Sequence, residues 1–81
     1  MSEITEDTTL DVKEENCPMP VIKTKQESEK LNEEEILKVV ATDSGSMSDI
    51  KGWAEGTDNM KLLEQQEEDG LYIHYLEKAT V

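Results

Sequence analysis

Both prolines of the chain, Pro18 and Pro20, fall within three residues of its single cysteine, Cys17. A residue that precedes proline is driven out of the helical region into extended geometry, the conformation an N-cap residue needs. Proline itself costs no hydrogen bond in a first helical turn, because the amides there have no intrahelical acceptor. The cluster therefore predicts a helix that starts at Pro18, with Cys17 at its N-cap and Pro20 at its third position. The Met19 and Val21 amides, with a helix dipole worth about 0.3–1 kcal/mol, would favour a thiolate there. Glu14 and Glu15 oppose that effect and Lys23 and Lys25 offset them, so spacing alone sets no direction for the thiol pKa.

From this fixed point the remaining elements can be read outward. Val21, Ile22, Lys25, Ser28 and Leu31 follow along one side of a helix over 18–31 that stops near Asn32. Its apolar side is narrow, which suits a helix covering a sheet. Thr8 to Lys13 alternates Leu10 and Val12 with polar residues, as a half-buried strand does. Ile36 to Ala41 is the most continuous β-branched run, expected of a central strand. After a loop over 42–46, Ser46 and Asp49 resemble a capping box, and Met47, Ile50, Trp53 and Ala54 recur at helical spacing up to Gly56. Gly52 inside that run predicts a short or irregular helix, and Trp53 is expected to anchor it in the core. Met60–Gln65 and Leu71–Leu76 flank Asp69-Gly70, the signature of a hairpin, with His74 expected on its polar face. The order β-α-β-α-β-β, with a right-handed crossover, predicts a two-layer α/β sandwich: a four-stranded mixed sheet with two helices packed on one face. Residues 1–8 read as a mobile acidic tail and 9–81 as a single domain.

Charge and cysteine count exclude many functions. A net charge of −12 with no arginine repels phosphate backbones and anionic membrane surfaces, so neither direct nucleic-acid nor membrane binding is expected. Like charge also favours a monomer. No apolar run approaches the ~20 residues of a membrane span, and the segment after Met1 lacks the features of a signal peptide, which leads to the expectation of a cytoplasmic protein. One cysteine makes no internal disulfide, no Cys-x-x-Cys redox centre and no thiolate zinc site. Asp43 and Asp49 read as loop and cap residues, without a third carboxylate at calcium-loop spacing. Neither a metal nor a cofactor is expected. The one histidine, His74, is remote in sequence from Cys17, which disfavours cysteine-protease chemistry. A free thiol of this kind suits carrying a sulfur atom or an acyl group from one partner to another by exchange.

Cys17-Pro18-Met19-Pro20 after the Leu10-Asp11-Val12 strand resembles the Cys-Pro-x-Pro signature of the TusA/SirA-like (also YeeD-like) sulfur carrier family. The resemblance continues through Asp43 to Asp49-Ile50, Gly52-Trp53, Asp69-Gly70-Leu71, Tyr75-Leu76 and Lys78, covering about residues 9 to 78. It implies a persulfide carried on Cys17, framed by Pro18, Met19 and Pro20. The sulfur would be received from a cysteine desulfurase or rhodanese-like donor and relayed to an acceptor protein of tRNA thiolation, molybdenum-cofactor assembly or sulfur oxidation. Such a chain is a protein substrate in a relay more than a self-standing enzyme; turnover with thiosulfate and a small thiol alone would mark the latter. The alternative is a regulatory or interaction module on the same fold with a structural or redox-sensing Cys17. One departure concerns Glu14, which stands where the family usually has glycine, a residue that takes positive φ at little cost. The Glu33-Glu34-Glu35 run reads as a solvated connection, or else as an acidic docking surface for basic partners.

Overall fold

The computed structural model describes residues 6–14 and 19–79. Its elements run β1 (Thr8–Val12), α1 (Met19–Ser28), β2 (Ile36–Ala41), α2 (Ser46–Glu55), β3 (Met60–Glu68) and β4 (Leu71–Lys78). They form one mixed sheet in the order β1-β2-β4-β3, in which β1 and β2 are parallel and the other pairings antiparallel. The expected two-layer sandwich is the fold observed. Register explains which side chains face the helices. Leu10 and Val12 stand opposite Val39 and Ala41, and Leu37 and Val39 stand opposite Leu76 and His74. Val12, Leu37, Val39, Ala41 and Leu76, with Leu31 from beyond α1, Ile50 and Ala54 of α2 and Met60 of β3, make one core, against which Leu10 packs. Both helices therefore share one face of the sheet. Ile73 and Tyr75, opposite Val40 and Lys38, belong to the other face.

Local chemistry sets the element ends. Asp69 and Gly70 both take positive φ, 51° and 82°, as the two central residues of a tight hairpin turn must. At the far end of the sheet, Asp7 joins the ladder through its amide to the Ile36 carbonyl, and its carboxylate accepts from the Ile36 amide. No helix among the described residues is long and apolar enough to cross a membrane.

Five expectations are corrected in detail. α1 ends at Ser28, three residues before Leu31, because the Ser28 hydroxyl turns back onto the Lys25 carbonyl and the chain tightens into i→i+3 bonds through Lys30 and Leu31. Its buried side is Pro20, Thr24 and Ser28, while Ile22 and Lys25 face solvent. α2 has no capping box: Gly45 is its N-cap and makes no side-chain cap hydrogen bond, while Ser46 is buried inside the first turn. The loop is shaped instead by Asp43, whose carboxylate accepts from the Gly45 amide. Trp53 lies at the margin of the core; Ile50, fully buried, anchors α2. Gly52 leaves α2 regular over ten residues.

Candidate functional site

Cys17 and Pro18 lie outside the described residues; the structure describes the two banks of that segment. On the upstream bank, β1 runs into a turn at Lys13 and Glu14 that is held from both sides. The Asp11 carboxylate accepts from the Lys13 amide at 2.9 Å and faces the Lys13 ammonium at 3.6 Å, and the Thr42 hydroxyl donates to the Lys13 carbonyl. Thr42 directly follows β2, so the turn is tied to the end of the neighbouring parallel strand. Asp11, Lys13, Glu14 and Thr42 together line an open cleft at the C-terminal ends of β1 and β2, the edge at which open α/β sheets place their ligands. Glu14 takes no positive φ, since among the described residues only Glu34, Asp69 and Gly70 do. Glu14 itself thus adopts ordinary backbone geometry at the position where the family resemblance leads one to expect glycine.

On the downstream bank, Met19 and Pro20 open α1 with unlike surroundings. Pro20 is fully buried, and the Thr24 hydroxyl donates to its carbonyl at 2.6 Å, closing the first turn within the core. Met19 is exposed, as is Ile22 one turn later. The far end of α1 is secured by Lys78, whose ammonium donates to the Ser28 carbonyl at 3.0 Å, a cation placed where the helix dipole favours it. The same strand end grips the Glu33-Glu34-Glu35 turn, through Glu34 N–H to the Lys78 carbonyl and Lys78 N–H to the Glu35 carbonyl. That acidic run is a structural connection pinned to β4.

His74 departs furthest from the sequence reading. It is fully buried on the helix-facing side of β4, not on a polar face, and belongs to a hydrogen-bonded network with Ser46, Gln65 and the Met47 carbonyl. The Met47 carbonyl accepts from Gln65 Nε2 at 2.7 Å, which fixes the amide orientation. The same nitrogen lies 3.0 Å from His74 Nδ1 and can only donate, so Nδ1 accepts and Nε2–H donates to Ser46 Oγ at 3.1 Å. Burial lowers the His74 pKa from 6.5 to about 4, which keeps the ring neutral at pH 7. This network ties β3 and β4 to the first turn of α2. The sequence offered one signal for it: His74 shares strand parity with Leu76, but Ile73 and Tyr75 are equally apolar on the opposite parity.

Comparisons with known proteins agree with this architecture. The family model described as Sulfurtransferase TusA matches residues 8–78. A relative in Halobacterium salinarum is 59% identical over 71 residues, covering 88% of each chain. The sulfur carrier protein TusA of Allochromatium vinosum is 38% identical over 74 residues, covering 91% of this chain and 95% of the relative. The crystal structure of a SirA-like protein from Desulfitobacterium hafniense superposes with a TM-score of 0.71 at 24% identity, covering 90% of this chain and 99% of the other, a likeness of fold.

Proposed function

Because the chain belongs to the sulfurtransferase TusA family, we propose that it is a sulfur carrier whose Cys17 holds the transferred sulfur as a persulfide. The observation that carries this reading is the family match across the whole sheet and both helices, in a chain whose only thiol stands directly before α1. The turn held by Asp11 and Thr42 upstream and the buried Pro20 downstream, which flank that thiol in sequence, support the reading.

The reaction is a thiol exchange at sulfur. The Cys17 thiolate attacks the outer sulfur of a donor cysteine persulfide. The new Sγ–S bond forms as the donor's S–S bond breaks, the donor leaves as a thiolate, and the persulfide proton stays with the sulfur that moves. No net oxidation occurs. An acceptor thiolate then repeats the step on Cys17. The donor is a cysteine desulfurase or rhodanese-like protein, and a thiol that must stay reduced between cycles fits the cytoplasm.

Incubation with a panel of cysteine desulfurases and free cysteine, followed by mass spectrometry, should show one added sulfur on Cys17 and none on the Cys17→Ser variant. The carrier reading fails if no donor loads the wild-type protein and Cys17→Ser retains cellular function.

A further inference from the structure

We infer that β1 is a surface for self-association: two copies of this chain join antiparallel along their β1 edges, centred on Leu10, into one continuous sheet. The two edges of the sheet differ. β3 is interrupted between Leu62 and Glu64 and lined with glutamates, whereas β1 keeps an unbroken register from Thr8 to Val12. Alternation along the strands fixes which main-chain groups of β1 are free. The Glu35 carbonyl accepts from the Lys78 amide on the β4 side, so Ile36, Lys38 and Val40 turn their main-chain groups the other way, toward β1. The parallel ladder then engages Thr8, Leu10 and Val12. It leaves the N–H and C=O of Thr9 and Asp11 pointing away from the sheet, a template for a further strand.

The occupant is a second copy because the segment is complementary to itself. With Leu10 opposite Leu10, Asp7 of each copy faces Lys13 of the other, and Thr9 faces Asp11, a hydroxyl against a carboxylate. Centring the pairing on Thr9 instead sets Asp7 against Asp11, and centring it on Asp11 sets Asp11 against itself. A one-residue slip turns the apolar side chains to the wrong face. Only one register therefore avoids like charges along the strand. In that register Leu10, half-buried against the core, meets its counterpart on the helix side of the joint. Exposed ion pairs contribute little, so they choose the register while main-chain bonds hold the strands. Glu6 meets Glu14 at each end of the joint, and each copy carries −12. The pairing therefore forms as salt screens that repulsion.

Sedimentation velocity on the full chain, in about 0.1 M and about 1 M potassium chloride, measures the association. The wild type should be a monomer at the lower salt and form a dimer at the higher. Thr9→Pro, which removes an outward N–H, should weaken that dimer by about tenfold or more. Thr9→Glu faces Lys38 within its own copy but Asp11 across the joint, and should weaken it by about threefold. Ser48→Glu, the same charge placed on an exposed position of α2, should change it by less than about twofold. Circular dichroism checks each fold, and Thr9→Glu carries the comparison if Thr9→Pro does not fold. A wild type that stays monomeric at both salts up to about 1 mM would overturn the proposal. So would a dimer that the Thr9 variants weaken no more than Ser48→Glu does, since its contact would then lie on another face.

Discussion

At the scale of single residues, His74 shows how a polar side chain is accommodated in a core of this size. Its two ring nitrogens are satisfied by Gln65 and Ser46, so burial costs little in unmet hydrogen bonding, provided that the ring stays neutral. Protonation makes Nδ1 a donor facing the Gln65 amide donor and places a charge among apolar neighbours. The unfolded chain binds that proton near pH 6.5 and the native chain only near pH 4, so stability is held above pH 6.5 and lost as pH falls toward 4. The full shift corresponds to roughly 3 kcal/mol. Urea midpoints measured at pH 7 and pH 4.5 should therefore fall more steeply for the wild type than for His74→Gln, which removes the titrating group while keeping a donor and an acceptor. Parallel slopes would mean that His74 contributes nothing to the acid sensitivity.

Two glycines at the scale of elements give opposite expectations under the same substitution. Gly52 sits in the interior of α2 with open space where a Cβ would be, so Gly52→Ala should raise stability by about 0.5–1 kcal/mol through helix propensity alone. Gly70 also has free space around it, but its φ of 82° belongs to the left-handed region. Gly70→Ala should cost about 1 kcal/mol for backbone reasons. Chemical denaturation of both variants tests the pair, and a shift of the same sign would contradict the account of either the helix or the turn. β3 shows how an edge strand is kept from pairing with strangers. It is interrupted by an irregularity between Leu62 and Glu64 and carries Glu64, Glu67 and Glu68 along its length, charges that discourage edge-to-edge association.

Across the whole molecule, net charge governs behaviour outside the core. With 20 acidic residues against eight lysines, folding gathers like charges onto a small surface, for example Glu67, Glu68 and Asp69 at one hairpin end. Salt shortens the range of their repulsion from about 10 Å at 0.1 M to about 3 Å at 1 M. Stability should therefore rise with salt, on the order of 1–3 kcal/mol between these conditions if several exposed pairs each contribute a few tenths. Urea titrations across a potassium chloride series measure this, and an unchanged or falling midpoint would show that the carboxylates are compensated locally.

How much is legible in the sequence differs by element. The bounds of β2 and the position of the Asp69-Gly70 turn follow from local composition, since a β-branched run and an Asp-Gly pair have few alternative conformations. The helix start beside Cys17 is legible in Pro18 and Pro20, and the structure describes α1 from Met19 onward with Pro20 in its first turn. What composition leaves open is decided by contacts distant in sequence. The parity of β4 depends on pairing Leu76 and His74 with Leu37 and Val39, and only that pairing turns His74 inward to meet Ser46 and Gln65. Likewise the buried side of α1 is set by the core beneath Pro20, Thr24 and Ser28, which leaves Ile22 outside despite its hydrophobicity. Sequence by itself determined where elements begin and turn, because backbone preferences are local. The tertiary structure decided which way side chains face, because burial depends on the partner across the sheet.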